Sequence, residues 1–218
     1  GVSGASCACR RFVSAIARTG QAASTGCLGG DFGPDCSLEE LLGPGGSSLV
    51  PNLSAIGPSG HLQLLIDDWQ RRGPPAPEFD LSVIKVLPGV ASDGTFSLVF
   101  ELDPSATLEI APGVSQASFG FRYTLSPRTA RFDGLDIALS VDAPGLDVTI
   151  LTSVCEGAFC DTAGTPDIAD SLLLSGIVEH EGFAFGAISV GYVEASVFIS
   201  NSGMGTIEVG SLALTQNL

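Results

Sequence analysis

A period of two dominates the apolar residues of this chain. Phe96, Leu98, Phe100 and Leu102 take one set of alternate positions and Thr95, Ser97, Val99 and Glu101 the other, the pattern of a strand with one face in a core. Phe119, Phe121, Tyr123 and Leu125 alternate in the same way against Ser118, Gly120, Arg122 and Thr124. Further runs that read as strands fall at 62–67, 79–87, 106–111, 135–141, 146–153, 171–179, 183–190, 192–200 and 206–215. The 28 glycines and 13 prolines punctuate these runs with Pro-Gly, Asp-Gly and Asn-Ser-Gly turns, which joins short strands rather than helices. The expected fold is mostly β: an antiparallel β-sandwich of about ten strands, jelly-roll or immunoglobulin-like. A short helical or extended N-terminal arm precedes it.

The charge divides the chain in two. Residues 1–30 hold Arg10, Arg11 and Arg18 and no acid, so they carry +3 while the remainder carries −18, for a total of −15. We therefore read 1–36 as a Cys-rich cationic arm and 37–218 as the sandwich. One lysine, Lys85, and nine cations in all exclude nucleic acid as partner, because neutralising phosphates requires clustered cations. The same balance disfavours anionic membranes, and no stretch approaches the roughly eighteen apolar residues of a membrane span. The expectation is a soluble chain, or one made soluble by assembling.

Six cysteines fall as Cys7, Cys9, Cys27 and Cys36, then Cys155 and Cys160. An even count in a lysine-poor, Gly/Ser/Thr-rich chain suggests disulfides and an oxidising, extracellular or cell-surface setting. Cys155 and Cys160 are placed to close their own loop, leaving the other four to pair among themselves. A zinc site is the rival reading for those four, but Cys7-Ala-Cys9 is tighter than the usual ligand spacing; no metal and no cofactor is expected.

Two short helices are signalled. Phe12, Val13, Ile16 and Ala17 recur at helical spacing, pointing to an amphipathic helix from about Cys9 to Thr19. Ser37-Leu-Glu-Glu40 is a capping-box sequence, stopped by Gly43 and Pro44. Asp67 to Pro77 reads as a proline-stiffened loop.

Catalytic chemistry is sparse. The two histidines limit acid–base work near neutral pH; in Glu179-His180-Glu181 an extended chain sends the glutamates and the histidine to opposite faces. No nucleophile elbow, zinc-protease helix or phosphate loop occurs, so the chain is read as not an enzyme. Acidic residues around Asp161, Asp167 and Asp170 could suit calcium, without the spacing of a calcium loop. For carbohydrate, Trp69 beside Arg71 and Arg72 is the best single candidate contact; its rival reading is a tryptophan covering a sheet edge.

The order of segments resembles secreted bacterial proteins sorted by an exosortase, the PEP-CTERM group. The resemblance lies in Cys36-Ser-Leu-Glu-Glu-Leu-Leu-Gly-Pro-Gly-Gly-Ser-Ser-Leu-Val50, Phe79-Asp-Leu-Ser-Val-Ile-Lys-Val-Leu-Pro88, Leu108-Glu-Ile-Ala-Pro-Gly113 and Phe121-Arg-Tyr-Thr-Leu125. It continues in Gly134-Leu-Asp-Ile-Ala-Leu-Ser140 and Gly205-Thr-Ile-Glu-Val-Gly-Ser-Leu-Ala-Leu-Thr215. Covering about residues 36–216, it implies an exported surface or matrix protein.

Two functions follow. The first is an extracellular structural subunit that self-assembles into a surface fibre or biofilm matrix. Its partners are other copies of itself, with arm residues Arg10, Arg11, Phe12, Ile16 and Arg18 docking on a neighbour as an unclosed heterologous contact. The alternative is a secreted, lectin-like carbohydrate-binding module whose partner is extracellular polysaccharide, met at Trp69 and Arg71.

Overall fold

The structure, a computed structural model, describes residues 36–43, 53–57, 59–72, 80–90, 95–127, 129–143, 145–156, 171–175 and 178–218, with backbone alone at 171–175, 178, 179 and 183. Among these residues fourteen strands form two six-stranded sheets and a two-stranded ribbon. In chain order they are β1 (Cys36–Ser37), β2 (Leu53–Ile56), β3 (Gln63–Arg71), β4 (Ile84–Val90), β5 (Phe96–Leu102), β6 (Leu108–Ile110) and β7 (Gly113–Ser126). Then come β8 (Phe132–Asp142), β9 (Leu146–Glu156), β10 (Ser171–Ser175), β11 (Val178–Ile188), β12 (Val190–Asn201), β13 (Ile207–Val209) and β14 (Ser211–Asn217).

One sheet runs β1-β4-β5-β14-β8-β11 and the other β10-β9-β12-β7-β3-β2, every pairing antiparallel. The order is that of a jelly roll. β5 pairs with the last strand, β14; β7 pairs with β12; β8 lies between β14 and β11; and β9 lies between β12 and β10. The chain has thus been laid down as a long hairpin and rolled, so that strands far apart in sequence become neighbours in two packed sheets. β4 and β1 extend one sheet, β3 and β2 the other, and β6 pairs with β13 as the ribbon.

Alternation builds the core between the sheets. Phe96, Leu98, Phe100 and Leu102 of β5 are all buried, and across the gap so are Phe119, Phe121, Tyr123 and Leu125 of β7. Each such side chain removed from water contributes about 1.5–3 kcal/mol. The Tyr123 hydroxyl donates to Gln216 Oε1 at 3.0 Å within this core, linking β7 to β14 of the opposite sheet.

The capping box closes as expected. Glu40 N–H donates to Ser37 Oγ at 3.2 Å and Ser37 N–H donates back to Glu40 Oε2 at 2.9 Å, starting helix α1 (Leu38–Leu42). Leu38, Leu41 and Leu42 are buried, and Gly43 ends the helix at φ 63°, a left-handed conformation that glycine takes without a Cβ penalty.

Some boundaries differ from the sequence reading. Asp67–Arg71 belong to β3 rather than a loop; β4 begins at Ile84, after one 3₁₀ turn at Leu81–Val83 capped by Asp80. The run 206–215 splits into β13 and β14, which serve different sheets. Cys36 is buried in the sandwich, paired with Val86, one residue inside the boundary drawn for the arm. The arm helix and residues Arg10, Arg11, Phe12, Ile16 and Arg18 lie outside the described residues, as do Asp161, Asp167 and Asp170.

Candidate binding face

The outer face of the β10-β9-β12-β7-β3-β2 sheet carries two arginines, Arg72 and Arg122, each paired with acidic side chains, and a bulge in β3 organises it. Asp67 stands opposite Arg122, yet Gln70 stands opposite Gly120, so β3 carries one residue more than β7 over this stretch. The extra residue is Asp68, at φ 55°, a left-handed conformation that aspartate and asparagine tolerate better than most residues. Bulges of this kind re-aim side chains. Leu64 and Ile66 point into the core, and simple alternation would send Asp68 in and Trp69 out. The added residue reverses that order: Asp67 and Asp68 both stay near the outer face, and Trp69 turns inward.

Trp69 is therefore not a surface contact. It is 0% exposed, with its ring 4.6 Å from that of Phe121 and 6.4 Å from that of Phe100. Arg71, the companion candidate, is half-buried at the end of β3 in register with Phe119, away from the ion pairs. The next residue, Arg72, is the one that joins the cluster.

Arg122 grips Asp67 with two parallel bonds, Nε to Oδ1 at 2.7 Å and Nη2 to Oδ2 at 3.0 Å. This fork geometry is the strong form of guanidinium–carboxylate pairing. It raises the Arg122 pKa further above its ordinary value, the Asp67 hydrogen bond being the largest cause. Arg122 Nη1 lies 3.9 Å from Asp68 Oδ2, while Asp68 Oδ1 accepts from Gln70 Nε2 at 3.2 Å.

A second layer is built on β12. Tyr192 sits between Arg122 of β7 and Cys155 of β9 in the register, with Glu194 two residues on, beside Gly120 and Ser153. Tyr192 is fully buried although it belongs to the outer face. Its ring crosses β7 at Gly120, where an added Cβ would come within 2.8 Å of ring atoms Cε1 and Cζ. Arg72 lies over the ring: its guanidinium carbon is 5.5 Å from the ring centroid, and Nη2 reaches the Tyr192 hydroxyl at 3.3 Å and Glu194 Oε1 at 3.2 Å. Arg72 N–H, bonded to Ser118 O at 2.8 Å, fixes the residue to β7.

Burial sets the titration of this layer. Desolvation raises the Glu194 carboxyl, opposed by Arg72, and it likewise raises the Tyr192 hydroxyl against the pull of Arg72. The result is a patch of two guanidinium groups and three carboxylates whose side chains are 15–35% exposed. Closely spaced donors and acceptors of this kind suit a ligand rich in hydroxyl groups, each of which can donate and accept.

Elsewhere the predicted residues stay apart. His61 and His180 are exposed, at a turn and on the edge strand β11. Among the described residues no group of three or more His, Cys, Asp or Glu could hold a metal ion. Cys36 and Cys155 are disulfide-bonded; Cys7, Cys9, Cys27 and Cys160 lie outside the described residues, so the Cys155–Cys160 pairing stays an expectation. Among the described residues no helix is long and apolar enough to cross a membrane.

No family model matches the chain, and no curated protein matches it. Among solved structures it is similar to TmCBM61 in complex with β-1,4-galactotriose, at 11% identity and TM-score 0.29, covering 66% of this chain and 86% of that one. It is also similar to the mannan-recognising carbohydrate-binding module TmCBM27, at 14% identity and TM-score 0.26, covering 67% and 87%. A family two carbohydrate esterase from Cellvibrio japonicus follows at 12% identity and TM-score 0.23, covering 71% of this chain and 35% of that one.

Proposed function

We propose that this chain is a secreted, non-catalytic carbohydrate-binding module that holds glycan on the outer face of the β10-β9-β12-β7-β3-β2 sheet. The observation that carries the reading is the preassembled cluster of Asp67, Asp68, Arg72, Arg122 and Glu194 around Tyr192. Its charged groups are held in place before any ligand arrives, so little side-chain entropy is lost on binding. Two disulfide-bonded cysteines support an oxidising compartment. The self-assembling fibre subunit rests on residues 1–30, outside the described residues, and no described contact favours it.

Affinity electrophoresis through gels containing β-1,4-galactan, mannan, xylan or β-glucan tests the proposal. At least one gel should retard the protein, and Arg72→Ala should abolish the retardation while leaving the circular dichroism spectrum of a β protein. Retardation that Arg72→Ala leaves intact would place the glycan elsewhere.

A further inference from the structure

The charge and spacing of the patch carry a more specific statement about its ligand, which rests on the glycan-binding reading. Each guanidinium already faces a carboxylate: Arg72 faces Glu194 at 3.2 Å, and Arg122 faces Asp67 at 2.7 Å and Asp68 at 3.9 Å. Three carboxylates against two cations leave the patch at −1, on a chain of net charge −15. An anionic sugar would meet cations already neutralised and an excess of like charge, which costs more than it returns as the site desolvates.

One donor and one acceptor have room to spare. Arg122 Nη1 and Asp68 Oδ2 stand 3.9 Å apart, too far for a hydrogen bond with each other. Both side chains are about one-third exposed, at 33% and 28%. The gap matches a single oxygen that accepts from Nη1 and donates to Oδ2, each at ordinary hydrogen-bond length. A hydroxyl does both at once; a carboxylate or sulfate has no proton to give Oδ2.

We propose that the face takes a neutral glycan, one hydroxyl of which bridges Arg122 Nη1 and Asp68 Oδ2, and rejects uronic-acid and sulfated polysaccharides. Asp68→Asn is the diagnostic substitution. Asparagine tolerates the left-handed backbone at this position and keeps an oxygen for Gln70, but turns the Oδ2 acceptor into a donor.

The experiment is isothermal titration calorimetry of the full chain at low salt. The titrants are galacto-, manno-, xylo- and cello-oligosaccharides on one side, polygalacturonate and sulfated dextran on the other. Saturable binding to a neutral titrant and none to the anionic ones is expected, with Asp68→Asn weakening the neutral ligand by about tenfold or more at an unchanged unfolding midpoint. If that variant is destabilised, Asp68→Gly, at ease at φ 55°, should show the same loss. Anionic titrants binding as well as neutral ones would overturn the charge argument and leave glycan binding standing. A neutral ligand indifferent to both substitutions would overturn the bridging hydroxyl. Failure of every titrant would remove the glycan reading itself, and this inference with it.

Discussion

Gly120→Ala probes the packing of the face at its tightest point. Gly120 is not among the left-handed glycines, so its backbone accepts alanine and any cost must come from the new methyl group. That methyl would meet the Tyr192 ring, with Cε1 and Cζ 2.8 Å from it, inside van der Waals contact. The ring is not free to move, because Arg72 lies over it and bonds its hydroxyl, and Arg72 is itself fixed by Glu194 and by Ser118 O. Overpacking of this kind costs about 1–3 kcal/mol, and for a chain of this size each kcal/mol lowers the melting temperature by about 2–4 °C. Thermal unfolding followed by circular dichroism, disulfides intact, measures it. In a Tyr192→Ala background the obstacle is gone, so the same substitution should cost close to nothing; the difference is a double-mutant coupling of about 1–3 kcal/mol. An equal cost in both backgrounds would refute the account of Tyr192 lying across β7.

Three further outcomes are expected. Ser37→Ala, which removes the cap of α1, should lower stability by about 1 kcal/mol in urea unfolding, and Ser37→Asp should restore most of it. Trp69→Ala should cost about 3–5 kcal/mol as a core truncation, yet leave glycan affinity unchanged at temperatures where the variant stays folded; a specific loss of affinity would mean that Trp69 reaches the surface. Glu194 should titrate above its ordinary value of 4.5 in the native state, so the folded state holds this proton more tightly than the unfolded one. Its contribution to stability is then fully present below pH 4.5 and lost as the pH rises through the native pKa. Carboxyl ¹³C shifts read this directly, and a titration below 4.5 would show that Arg72 outweighs burial.

The sandwich was legible because its signals are local. Alternation in β5 is a property of seven consecutive residues, and the capping box spans Ser37 to Glu40, so neighbouring residues alone announce both. The candidate face is different. Arg122 meets Asp67 across 55 residues and Arg72 meets Tyr192 across 120. Those meetings depend on strand register, which a single sequence does not display. The surface reading of Trp69 fails for a related reason: one inserted residue in β3 flips the pleat, and Asp67-Asp68-Trp69 looks the same on paper whether or not a bulge is present. The jelly-roll order was only half visible, since strand count and turns indicate a sandwich but the pairing of β5 with β14 is long-range.

The most direct test of the central claim maps the ligand onto the two sheets. Amide chemical-shift mapping with whichever neutral oligosaccharide binds should move Asp67, Asp68, Gln70, Gly120, Arg122, Tyr192 and Glu194 together. Residues such as Glu101, Ala138 and Thr215, on the opposite sheet, should stay still. Shifts confined to the opposite sheet would contradict the assignment of this face as the binding surface.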